Sequence, residues 1–182
     1  MRAFCAMLSL ALVLSTNVQA RSAEVIDSVS LNEFAKLLDD SGIEASVRYM
    51  RSDGMPYVWI TSLTRGGIYD GISVAILGDF CRPADGSAPM NAAKTANDRC
   101  SVFTYVSYIE IPKTIPDQQI DALAKGLAEV SVVRQSAGQI SVSLTYATEG
   151  GVTAENVADN LAVLGQNAKE ANRRLFGTRP TS

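Results

Sequence analysis

The chain has 182 residues, 47% of them apolar and 19% charged, with 16 basic and 19 acidic side chains and no histidine. This length allows one domain or two small ones, and the apolar fraction is too high for a disordered chain. Without histidine there is no serine-histidine or cysteine-histidine hydrolase, no usual zinc site and no histidine switch near neutral pH, so what remains is mostly binding or architecture.

Arg2 is followed by an almost wholly apolar stretch from Ala3 to Leu14, and Val18-Gln19-Ala20 fits a small-residue cleavage rule. Residues 1–20 are expected to be a secretory signal peptide cleaved near Ala20, because an apolar run of about 12 residues falls short of the roughly 20 needed to span a bilayer. Cys5 precedes the run rather than closing it, so lipidation is not expected. Cleavage removes one base and no acid, leaving the mature chain slightly more acidic than the whole, whose formal net charge is −3. Such a surface has no general attraction for nucleic acid or anionic lipid. With no second apolar run of membrane-spanning length, the product is expected in the periplasm or outside the cell, as a single domain over residues 21–182 with its ordered core at about 30–176.

Ser30 and Glu33 form a capping box, and Leu31, Phe34, Leu37 and Leu38 recur at helical spacing, which predicts a first helix from Leu31 to about Ser41, ending at Gly42. Two strands follow, Glu44 to Met50 and Tyr57 to Leu63, joined through Arg51-Ser52-Asp53-Gly54, whose Asp-Gly pair is a hairpin signal. After a turn at Thr64-Arg65-Gly66-Gly67, Ile68 to Leu77 is predicted as a third strand and Ser101 to Ile111 as a fourth, giving an antiparallel meander.

Between the last two strands lies Arg82 to Arg99, with two prolines, several turn formers and no aromatic or branched aliphatic residue, so it is predicted to be a loop. Cys81 and Cys100 flank it, the only cysteines of the mature chain, and each abuts an apolar strand pattern. A disulfide between them is expected to close the base of a long hairpin, worth on the order of 3 kcal/mol in the chain-entropy model. The alternative is a redox-active pair, but reactive dithiols usually lie two residues apart beside a helix N-terminus.

Pro112 and Pro116 end the fourth strand and open a helix near Pro116 or Asp117, with Ile120, Leu123 and Leu127 as its buried stripe. Val130 to Gln135 and Gln139 to Ala147 then form a hairpin about Ser136-Ala137-Gly138. In its second strand Ile140, Val142, Leu144 and Tyr146 alternate with Ser141, Ser143, Thr145 and Ala147, so one face is buried and the other small and polar. Gly150-Gly151 breaks that strand, Thr153 can cap, and Val157, Leu161, Leu164, Ala168 and Leu175 mark a closing helix to about Phe176. Strands and helices are grouped rather than alternating, which predicts an α+β class: an antiparallel sheet of a four-strand meander plus a later hairpin, with three helices mainly on one side. Strands three and four are apolar on both alternations, which calls for a second cover, from helices or a partner subunit.

The order from Leu31 to about Phe176 resembles the YbjN-domain family, described as bacterial sensory transduction regulators with a fold similar to type III secretion chaperones. The most specific segment is Gly150-Gly151-Val152-Thr153-Ala154-Glu155-Asn156-Val157, leading into the last helix. The Ile120 helix followed by a hairpin also fits. These positions are a turn, a cap and a helix start, so the resemblance implies a scaffold and transfers no active site, cofactor or metal. Many relatives look cytoplasmic, whereas this chain carries an export signal, and its loop from Arg82 to Arg99 looks longer than the usual hairpin turn.

Chemical motifs are sparse. Gly71-Ile72-Ser73-Val74-Ala75 lacks the last glycine of a nucleophile elbow, and no lysine has serine three residues before it. Asp39, Asp40, Glu44, Asp53, Asp70, Asp117 and Asp121 fall at helix ends and turns, where carboxylates serve as caps and solvated charges, and no calcium loop appears. A carboxylate-only enzyme such as a glycosidase would need such groups to converge in a cleft.

The sharper feature is aromatic. Tyr57 and Trp59 share one face of the second strand, opposite Val58 and Ile60, and Phe103 and Tyr105 lie on a neighbouring strand. The four either fill the core or mark a surface for a protein client or for self-association, tyrosine and tryptophan being favoured interface anchors. The expected function is thus an exported, non-catalytic binding, chaperone-like or regulatory protein without cofactor. Its partner is a protein client or a second copy in a homodimer. The alternative is a small-ligand sensor, with a closed apolar pocket.

Overall fold

A computed structural model of the chain describes residues 28–60, 73–148 and 152–177. The signal peptide expected over residues 1–20, the turn at Thr64–Gly67, Asp70, Gly150-Gly151 and the tail from residue 178 lie outside the described residues.

The first described elements are β1 (Val29–Ser30) and α1 (Leu31–Asp40). Ser30 Oγ accepts from the Glu33 N–H and the Glu33 carboxylate accepts from the Ser30 N–H, so the predicted capping box is complete. Leu31, Phe34, Ala35 and Leu38 form the buried stripe of α1. Gly42 stands at φ 78°, a left-handed conformation that glycine adopts without the Cβ clash, and it turns the chain out of the helix. Then come β2 (Ala45–Tyr49) and β3 (Pro56–Ile60), an antiparallel hairpin with Ser46 opposite Trp59. The Asp53 carboxylate accepts from the Met55 N–H, tightening its turn.

The third and fourth predicted strands are β4 (Val74–Arg82) and β6 (Arg99–Glu110), paired antiparallel with Cys81 directly opposite Cys100. Their sulfurs are bonded, which is the expected bridge at the base of the loop. The segment between them is not all loop. Met90–Ala92 forms β5, which pairs with β4 beyond the end of β3. The small side chains just after it permit this, because Ala93 and Ala96 are buried and their backbones bond Gly78 and Asn32. The close approach also fixes Gly78. A Cβ there would come within 2.6 Å of the Cys100 sulfur and 3.7 Å of the Ala93 Cβ.

α2 (Asp117–Gly126), the hairpin of β7 (Ser131–Ser136) and β8 (Gln139–Ala147), and α3 (Ala154–Phe176) complete the described elements. Arg134 reaches from β7 to the Asp117 carboxylate and the Ile115 carbonyl, fixing the start of α2. Thr153 caps α3 through the Asn156 N–H. The sheet order is β2-β3-β4-β6-β8-β7, with β1 on β6 and β5 on β4, all pairs antiparallel. The architecture is therefore the expected α+β meander plus hairpin with three helices, extended by two short strands that periodicity did not predict.

Buried residues of all three helices join one apolar cluster with Val58, Ile60, Val74, Ile76, Phe103, Tyr105, Ile140 and Val142, so the helices cover a single face of the sheet. On the opposite face Ala75 and Val106 are buried as well, 5% and 6% exposed, whereas Tyr57 and Trp59 are half-buried. No described helix is long and apolar enough to cross a membrane.

Candidate functional site

Strand alternation sends Val58 and Ile60 into the core and Tyr57 and Trp59 to the opposite face of β3. Both aromatic residues are half-buried. Their rings meet edge to face at 6.3 Å between centroids, and the Arg48 guanidinium from β2 lies over Trp59 at 5.4 Å. An edge-on pair of this kind holds the indole in one orientation while leaving part of its surface in water.

The register extends this site into a band across the sheet. Ser46, Trp59, Ala75, Val106, Ser143 and Ser131 lie in one row, from β2 to β7. The row is uncharged. It grades from an aromatic end on β3 through small apolar groups to hydroxyls on β8 and β7. In the neighbouring row Thr104 Oγ1 donates to Asp79 and bonds Thr145 Oγ1, each at 3.2 Å, while Tyr108 and Val133 stand 44% and 50% exposed nearby.

Phe103 and Tyr105 do not belong to this face. Both are fully buried and pack on Phe34 of α1, at 4.7 and 6.1 Å between ring centroids. The expectation that they share a surface with Tyr57 and Trp59 is corrected by the pleat: in β6 the odd-numbered side chains from Phe103 to Ile109 point to the helices, while Val102, Thr104 and Val106 point the other way. Tyr105 has a further peculiarity. Its hydroxyl and the Asn160 amide nitrogen are buried near each other without a well-formed hydrogen bond, and burial pushes the phenol well above its ordinary pKa, opposed in part by the nearby Asn160 amide.

The carboxylates flagged in the sequence are dispersed. Asp40 pairs with Lys36 on α1, Asp53 braces a turn and Asp117 pairs with Arg134, while Ser73 directly precedes β4. Among the described residues no group of three or more histidine, cysteine, aspartate or glutamate side chains could hold a metal ion.

Sequence reasoning passed over Asp98, the best-connected carboxylate among the described residues. It is 2% exposed and accepts from the N–H groups of Lys94 at 2.9 Å, Thr95 at 2.7 Å and Ala84 at 3.3 Å, and from Thr95 Oγ1 at 2.9 Å. Burial raises its pKa, but the bonds from Thr95, Lys94 and Ala84 outweigh it and hold the carboxyl below its ordinary value. Asp98 borders an open groove of about 480 Å³ with Pro83, Asp85, Pro89, Met90 and Lys94, yet its oxygens face the loop backbone. It is a structural pin. The Thr-x-x-Asp spacing from Thr95 was the available signal, since aspartate readily bonds backbone three or four residues before it.

The chain matches no protein-family model, and no curated protein matches it. The disulfide fits an oxidising compartment.

Proposed function

We propose that this chain is an exported, non-catalytic protein-binding module, chaperone-like or regulatory in character as its resemblance to the YbjN-domain family implies, and that it takes a protein client on the face around Tyr57 and Trp59. The observation that carries this reading is the half-buried, braced tryptophan on the face away from the helices. All three helices cover one face, and the other presents a half-buried tryptophan braced by Tyr57 and Arg48 at the end of an uncharged row. A tryptophan buried only in part, with its orientation already fixed, can add contact area with little further loss of side-chain freedom. Export is supported by the apolar N-terminal stretch and by the disulfide.

The test is Trp59→Ala, with crosslinking and affinity purification from the periplasm. Client recovery should fall about tenfold or more, as for an interface anchor, while the unfolding midpoint stays close to that of the wild type. Unchanged recovery by the folded variant refutes the reading.

A further inference from the structure

β2 ends the sheet on one side, and among the described residues no strand pairs with its outer edge. The Met50 N–H donates to the Met55 carbonyl across the hairpin at 2.9 Å. By strand alternation the even-numbered residues of β2 therefore turn their backbone groups toward β3, and Ala45, Val47 and Tyr49 turn theirs outward. Exposed edges are usually blunted by charged side chains, lysine above all, by proline or by a bulge. Residues Ala45–Tyr49 carry a single charge, Arg48, and no lysine or proline, pair with β3 without a register shift, and end on a tyrosine 58% exposed.

We propose that two copies of this chain pair antiparallel through β2, about a two-fold axis at Ser46. This register is selected by charge. It places Ala45 opposite Val47 of the other copy, where the outward N–H and C=O groups can bond, and brings Glu44 of each copy opposite Arg48 of the other. Those two pairs occupy non-hydrogen-bonded positions, where facing Cα atoms are only about 4.5 Å apart and side chains are closest. Moving the register by one hydrogen-bonded step sets Arg48 against Ser46 or Gly42 and leaves both charges unmatched.

Both charged groups are available. Arg48 is exposed and already held over Trp59, and Glu44 is exposed with no ion-pair partner among the described residues. The opposite edge does not offer this. β7 carries Arg134 without an acid in Ser131–Ser136, and Arg134 is tied to Asp117 and Ile115. Pairing at β2 makes the two sheets continuous and sets the two Trp59 side chains on either side of the axis, roughly 14 Å apart at three strand spacings. The inference uses the edge of the sheet and stands whether or not its face takes a client.

Sedimentation equilibrium of the purified protein from about 1 μM to about 500 μM should show a monomer–dimer equilibrium, the range suited to a small interface. Glu44→Arg and Arg48→Glu each place like charges together twice per dimer and should raise the dissociation constant about tenfold or more. The double reversal should return it to within about fivefold of wild type, because the pairing is restored with its signs exchanged. Val47→Pro removes an outward N–H and should abolish the dimer, with circular dichroism confirming the fold. A monomer throughout the range overturns the proposal. So does a dimer indifferent to the single reversals, or a double reversal no tighter than either.

Discussion

Replacing Asp98 by alanine should loosen the whole connection between β4 and β6, because one carboxylate ties together Ala84, Lys94 and Thr95. A hydrogen bond to an ionised group is worth about 1.5–3 kcal/mol net when its donor is buried. Here the donor residues are exposed, so water can replace part of what is lost, and about 0.5–1 kcal/mol for each bond is the better figure. Four such bonds put the destabilisation of Asp98→Ala at about 2–4 kcal/mol. Urea unfolding at pH 7 with the disulfide intact measures this loss. Amide exchange should also accelerate at Lys94 and Thr95. The carboxyl is held below its ordinary pKa, so the unfolded chain takes up the proton first as pH falls. Asp98 then contributes fully above the unfolded value of about 4 and loses its contribution as pH drops through the folded value. Wild-type and Asp98→Ala stabilities should therefore converge below about pH 4. A loss under about 0.5 kcal/mol at pH 7, or a difference independent of pH, refutes this account of the loop.

Tyr105→Phe removes a buried hydroxyl that has no well-formed hydrogen bond and keeps the ring against Phe34, so thermal unfolding should show no loss and a gain of up to about 1 kcal/mol. A loss above about 1 kcal/mol would mean that the hydroxyl has a partner in solution, the Asn160 amide or a buried water. Replacing both Cys81 and Cys100 by alanine should lower stability by about 2–4 kcal/mol, since the bridge closes a separation of 19 residues. Equal denaturation midpoints for the bridged and alanine proteins would contradict that reading.

Most of the elements were legible because their signals were local. The Ser30 and Glu33 box, the Asp53-Gly54 hairpin and the alternation from Ile140 to Tyr146 each state their conformation within a few residues, and the elements lie there. What sequence could not show depends on pairing between distant segments. β1 is only two residues and exists because Val29 lies opposite Cys100, while β5 exists because Ala92 lies opposite Asp79. Neither has a periodicity of its own. The division of the aromatic residues was hidden for the same reason. Tyr57 and Trp59 alternate with Val58 and Ile60 just as Phe103 and Tyr105 alternate with Thr104 and Val106, and only the position of Phe34 reveals which set faces the helices.

The polarity gradient on the other face connects its two proposed uses. Hydroxyls dominate toward β7 and β8, so water can wet that end at little cost, whereas Trp59 and Tyr57 lie one strand in from the free edge. Arg48 serves both places: its guanidinium braces the indole, and its position in β2 sets it opposite Glu44 of a second copy. A dimer built on that edge brings the two aromatic ends together and leaves the hydroxyl ends at the outside. A client long enough to cross the axis meets both tryptophans, and the second contact then forms at high effective concentration. Arg48, not Glu44, lies over the indole, so reversing the charge at Glu44, one residue before β2, tests the dimer without removing that brace.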